Sequence, residues 1–266
     1  MRILVSLVFI LFTTSSFAVT FDGKFIQGSF ILGRTEPGSE VFIDKKKVKV
    51  SSEGYFVFGL GRDRKYDVVI TLNKDENKQK IVKKVFKRKY KIQRIDGLEE
   101  KKVTPPEEVY ERIKRENKWI GEARAINSDL TFFKNKFAIP VKNAIITGVY
   151  GSQRVLNGKP KWPHYGLDFA ADEGTKIKAM LDGTVTLAEP DLFYTGGTLI
   201  FDHGHGISTL YMHMEKILVK KGQKVKQGDI IGTVGSTGRA TGAHLDVRLN
   251  WFDVRLDPAT VLDVKK

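Results

Sequence analysis

Through the first third of the chain, apolar residues recur at every second position within short segments. Val41 and Ile43, then Val48 and Val50, follow this period, which belongs to a half-buried strand. The segments Asp67 to Leu72 and Lys80 to Ile92 continue it, and Pro37-Gly38 and Glu53-Gly54 supply turns between runs. The pattern predicts a small all-β sandwich over 19–98. At Thr104 the period changes. Val109, Ile113, Ile120 and Ala123 recur at helical spacing behind Thr104-Pro105-Pro106-Glu107, where Thr104 can cap, Pro105 suits the first helical position and Glu107 completes a capping box. A helix over about 106–127 is therefore expected inside a linker, 99–136, and it is too short for a sustained coiled coil. From 137 to about 262, many glycines and β-branched residues predict a second domain, an antiparallel β-rich fold.

Residues 1–18 depart from both periods. Arg2 precedes an almost unbroken apolar run from Ile3 to Phe12, and Ser16-Phe17-Ala18 places small residues where a signal peptidase reads. The run is too short to span a bilayer. A cleaved signal peptide, with a periplasmic or secreted product and no integral membrane contact, is the expectation.

Composition narrows the chemistry. Of 266 residues, 41% are hydrophobic and 29% charged, enough apolar content to fill a core. The chain has no cysteine, which excludes disulfides, thiol nucleophiles, iron–sulfur clusters, Cys-ligated zinc and a lipidated cysteine anchor. Any metal site must use histidine and carboxylates. The formal charge of +14 favours polyanionic surfaces, and the stretch Lys78 to Arg94 is its densest part. Aromatic residues do not interleave that stretch as a base-stacking platform would, so nucleic acid is not the expected partner. The most economical reading of it is a solvated strand face.

Only five histidines occur. His203 and His205 lie in Asp202-His203-Gly204-His205-Gly206, a Gly-rich turn suited to a hairpin tip, and are read as structural. The other three accompany carboxylates or an aromatic residue, in Pro163-His164-Tyr165-Gly166-Leu167-Asp168, Tyr211-Met212-His213 and His244-Leu245-Asp246. On a straight strand His164 and Asp168 would stand about 13 Å apart, too far to share an ion. A bend or bulge at Gly166 would let them converge. His244 and Asp246 share a strand face at about 7 Å, as do Tyr211 and His213. His164, Asp168 and Asp246 together offer one imidazole and two carboxylates, a competent though low-charge set for a divalent ion such as zinc. His213 and His244 would then stand just outside it, one taking a proton and the other meeting an oxyanion.

These segments, in this order, resemble the lysostaphin-type (LytM-like) murein metallopeptidases over about residues 137–262. In that family an H-x-x-x-D motif supplies two zinc ligands, matched by His164 and Asp168. A Y-x-H segment supplies a catalytic histidine, matched by His213. An H-x-H motif supplies a second catalytic histidine and the third ligand, matched by His244 and, with aspartate in place of histidine, by Asp246. Surrounding segments agree, including Gly148-Val149-Tyr150-Gly151 and Gly235 to Gly242. The N-terminal pattern resembles immunoglobulin-like modules that precede cell-wall enzymes. The stretch Val219 to Gly235 is similar to turns of lipoyl- and biotinyl-carrier barrels, read here as a structural barrel element because no lysine sits at a suitable tip.

The resemblance implies a mainly β protein: a small β-sandwich, a short linker helix and a C-terminal antiparallel, barrel-like LytM-type domain. It implies a Zn2+-dependent endopeptidase that cuts peptide cross-links of peptidoglycan. Its alternative is a non-catalytic murein-binding protein, or an activator of an amidase with divisome proteins as partners. A third class is a wall adhesin in which the β-sandwich does the binding.

Overall fold

The computed structural model describes residues 18–97 and 100–264. The expected signal segment lies outside these residues apart from Ala18. Two antiparallel sheets make the N-terminal unit. One contains Thr20–Asp22, Phe30–Arg34 and Tyr55–Gly59, and the other contains Lys46–Val48, Glu40–Ile43, Val68–Lys74 and Asn77–Lys83 in that spatial order. Alternation decides which side chains meet between them. Ile31, Val41, Ile43, Phe56, Phe58, Val68, Ile70 and Leu72 are all buried. Burial of this kind contributes about 1.5–3 kcal/mol per large apolar side chain.

The chain then leaves the sandwich along Ile92–Ile95. This strand does not pair with the sandwich. It lies parallel to Gln153–Leu156 of the C-terminal domain, with Gln93 beside Arg154 and Ile95 beside Leu156. A helix follows at Tyr110–Arg124, preceded by a 3-10 turn at Glu107–Val109. The start differs from the expected capping box. Pro106 is the N-cap and no side chain caps it, while the Thr104 hydroxyl accepts from Lys159 Nζ instead. A tertiary partner has taken the oxygen that local geometry offered to the helix. Trp119, Ile120 and Ala123 form the apolar stripe, packed on Leu187, Leu192, Ile200 and Leu210.

The C-terminal domain is a large antiparallel sheet. Its path runs through Lys224–Val225, Gly183–Leu192, Gly196–Gly204, Ile207–Ile217, His244–Trp251, Leu167–Ala170 and Ile145–Gly148. Ile230–Val234, in the segment similar to carrier barrels, pairs with Lys176–Lys178 and with Ile207–Ile217 and buries Ile231 and Val234. The fold is thus mainly β, with a sandwich, a helix and a large antiparallel sheet domain. One apolar cluster runs through both halves. Phe30 meets Phe137 edge-on at 6.0 Å, and Arg88 Nη1 donates to Asp257 Oδ2 at 2.7 Å. No helix among the described residues is long and apolar enough to cross a membrane.

Candidate metal centre and groove

Strand register builds the centre. Leu167–Ala170 and His244–Trp251 are antiparallel neighbours, with Asp168 directly opposite Asp246 and Ala170 opposite His244. Directly opposed side chains stand about 5 Å apart at Cβ, so two distant carboxylates become adjacent. His164 arrives from an irregular segment before the strand. The chain bends at Gly166, and the His164 Nε2 comes to 3.0 Å from Asp168 Oδ1 and 3.3 Å from Asp246 Oδ2. One ligand atom from each of His164, Asp168 and Asp246 lies within 4.8 Å of the others. The three are 1%, 6% and 2% exposed, so water does not screen them.

Two glycines make room for these carboxylates. A Cβ on Gly166 would stand 1.9 Å from Asp246 Oδ1, and one on Gly148 would stand 2.0 Å from Asp168 Oδ2. Any other residue at either position would displace a carboxylate.

The donor set fits a divalent metal. His164 Nδ1 lies 3.3 Å from the Val149 carbonyl oxygen. The Val149 carbonyl and both carboxylates only accept, so with Nδ1–H on the carbonyl the Nε2 either carries a second proton or turns its lone pair to a metal ion. Asp168 Oδ1 is buried and makes no hydrogen bond, although it lies close to that nitrogen. Burial pushes the His164 pKa down, but Asp246 and Asp168 outweigh it and raise it. A cation between the carboxylates is therefore favoured. For Asp246, burial raises the pKa, and the Arg248 guanidinium and His164 overcome it and hold the carboxyl well below its usual range.

His213 and His244 face each other across the mouth, ring centroids 4.8 Å apart. Strict alternation would put His213 on the side of Tyr211, and the structure departs from that. Tyr211 points into the core, where its hydroxyl accepts from Met180 N. Between Tyr211 and Met214 the strand carries one residue more than its partner segment Gly197–Leu199, and His213 takes a left-handed φ of 63°. This bulge turns His213 into the groove. His213 Nδ1 donates to the Thr237 carbonyl and His244 Nδ1 to the Gly242 carbonyl, both at 2.8 Å. Each ring therefore keeps a free Nε2. Burial drops the His213 pKa to about 4, so the ring is neutral at pH 7.

The groove above the centre has a volume of about 300 Å³. Arg154, Arg239, Asp168, His213 and His244 line it, with Gln93 and Ile95 as a wall contributed from the strand that leaves the sandwich. Arg154 Nη2 stands 3.6 Å from Asp168 Oδ2, and Arg248 donates to Asp246 through Nη2 at 3.0 Å. Arg248 and the Gln93–Ile95 wall belong to none of the sequence motifs. Arg248 had a usable signal, an opposite charge two residues from Asp246 on a strand. Gln93 and Ile95 had none, because their neighbours are about 60 residues away.

His203 and His205 do sit at a hairpin turn, with His205 and Gly206 both at positive φ. Both are buried rather than exposed. His203 Nδ1 donates to Asp182 O and its Nε2 accepts from the Thr209 hydroxyl, while His205 packs against Phe133 at 4.7 Å.

Opposed carboxylates on neighbouring strands, a histidine from the preceding bend and two histidines at the rim make a candidate metal centre. Residues 162–258 match peptidase family M23, so the chain carries a domain of that family, of the LytM or lysostaphin type. A Pseudomonas aeruginosa protein, whose crystal structure is described as an M23 peptidase, superposes with a TM-score of 0.70 at 29% identity, covering 90% of this chain and 95% of that one. The peptidoglycan DD-endopeptidase ShyA of Vibrio cholerae is 46% identical over 87 residues, 33% of this chain and 20% of that protein. The DD-carboxypeptidase/endopeptidase Mpg of Neisseria meningitidis is 40% identical over 89 residues, 33% of this chain and 20% of that protein. The chain thus matches about a fifth of the length of these curated relatives.

Proposed function

We propose that this chain is an exported, zinc-dependent endopeptidase that hydrolyses peptide cross-links of peptidoglycan in the periplasm or outside the cell. The observation that supports it most is the convergence of His164, Asp168 and Asp246 beneath a groove rimmed by two histidines whose Nδ1 atoms are held by backbone carbonyls. The names of ShyA and Mpg supply the substrate class. The net positive charge suits a carboxylate-bearing polymer at low ionic strength.

His164 Nε2, an Asp168 oxygen and an Asp246 oxygen would hold the metal. A bound divalent ion supplies a Lewis acid for the scissile carbonyl and lowers the pKa of water. The histidines provide the proton chemistry. His213 Nδ1 donates to a carbonyl and the ring is neutral, so its Nε2 accepts the proton of the attacking water and returns it to the departing amine. His244, with a second proton taken from solvent on Nε2, would donate to the developing oxyanion and release that proton as the oxyanion collapses.

The test is metal content and murein digestion by the purified chain and its Asp246→Ala variant. The parent is expected to hold about one zinc per chain and to release cross-link fragments. The variant should lose both, with a fall in kcat/KM of about a hundredfold or more. A parent that takes up no zinc and cuts nothing overturns the proposal. The remaining reading would then be a groove that docks murein or an amidase.

A further inference from the structure

Asp246 differs from a neutral ligand in one respect that the surroundings correct. A divalent ion held by His164, Asp168 and Asp246 would have its charge cancelled by two carboxylates, which weakens its pull on any carbonyl. Arg248 lies two residues after Asp246 on the same strand and therefore on the same face. Its Nη2 donates to Asp246 Oδ2 at 3.0 Å and its Nε approaches Oδ1 at 3.4 Å. The guanidinium fork thus spans both oxygens of a carboxylate that is 2% exposed. The pair Asp246–Arg248 is formally neutral, as an imidazole would be. Met212 and Leu210, which stand opposite the two residues on the next strand, bring no competing charge.

We infer that Arg248 is a positioning and charge-compensating residue, which makes Asp246 behave toward the metal as a neutral ligand. The inference rests on the metal reading above. It has a consequence that a merely structural role lacks. A guanidinium beside the ion's ligand repels the ion, so its removal should tighten metal binding while it weakens catalysis.

The experiment titrates the metal-stripped full chain with Zn2+ against a chromogenic chelator and measures murein digestion in parallel. Arg248→Met is expected to bind zinc about tenfold more tightly than the parent, with lower kcat. Arg248→Lys, which restores the charge, should return toward the parent. Asp246→His leaves Arg248 beside a neutral ring and should bind zinc about tenfold more weakly. The double variant Asp246→His, Arg248→Met should recover most of that loss. Should Arg248→Met fail to melt cooperatively, the comparison of Asp246→His with the double variant decides, since neither contains an unpaired buried carboxylate at 246. Weaker zinc binding in folded Arg248→Met, or equal binding in Asp246→His and the double variant, overturns the inference and leaves the metal site standing. A parent that binds no zinc overturns both.

Discussion

His203 shows how one side chain can write a pH dependence into the fold. In the folded chain it is neutral, donating to Asp182 O and accepting from Thr209, and burial lowers its pKa from 6.5 to about 4. The unfolded chain takes up a proton near 6.5 and the folded chain only near 4. Stability is therefore complete above pH 6.5 and declines as the pH falls toward 4, by at most about 1.4 kcal/mol per unit. Denaturant melts of the metal-free protein should give a lower midpoint at pH 5 than at pH 7. The difference should shrink in His203→Gln. An unchanged difference would show that other groups set the slope. At the same scale, Gly148 and Gly166 serve the site by what they lack. Their importance was invisible in the sequence, where Gly166 could be read only as a place for a bend, because the atoms a Cβ would strike belong to residues some 20 to 80 positions away.

Among the elements, Ile92–Ile95 carries the clearest functional consequence. It belongs to the N-terminal stretch by sequence and to the C-terminal domain by hydrogen bonding. Gln93 and Ile95 wall the groove without contributing a ligand to the metal cluster. Their joint replacement by alanine should raise KM for a murein peptide with little change in kcat, the signature of lost uniform binding. A fall in kcat with unchanged KM would place this strand in the chemistry instead. The helix was readable from its apolar spacing because periodicity is a local property. Its helical turns begin at Glu107, with Pro106 rather than Thr104 at the cap, because Thr104 closes the preceding turn onto Glu100 and its hydroxyl accepts from Lys159, far along the chain. The bulge at His213 was unreadable for a similar reason. Nothing near Tyr211-Met212-His213 announces an extra residue relative to Gly197–Leu199; the mismatch exists only in the paired strands.

At the scale of the molecule, the two halves share one apolar core, which predicts that they unfold together. Gly59 sits where a Cβ would come within 2.6 Å of Leu256 Cδ2 across the junction. Gly59→Val should wedge the halves apart, lower Tm and split a single calorimetric transition into two. A variant that keeps one transition at the parental Tm would show that the junction yields easily. The same junction bears on removing 19–98 to test wall binding. That deletion strips a wall from the groove as well as a domain from the chain, so lost activity alone would not identify the sandwich as the binding element.

Short-range chemistry was legible from the residues themselves: strand and helix periods, turn punctuation, the absence of thiols, and the spaced histidine and carboxylate motifs that resemble the M23 family. These depend on interactions between near neighbours, or on motif order, both of which survive in a linear string. Which atoms meet was decided in three dimensions. The opposition of Asp168 and Asp246 and the turning of His213 into the groove follow from register between strands. Register is set by the packing of the whole sheet, where a slip of one residue would send every side chain to the opposite face.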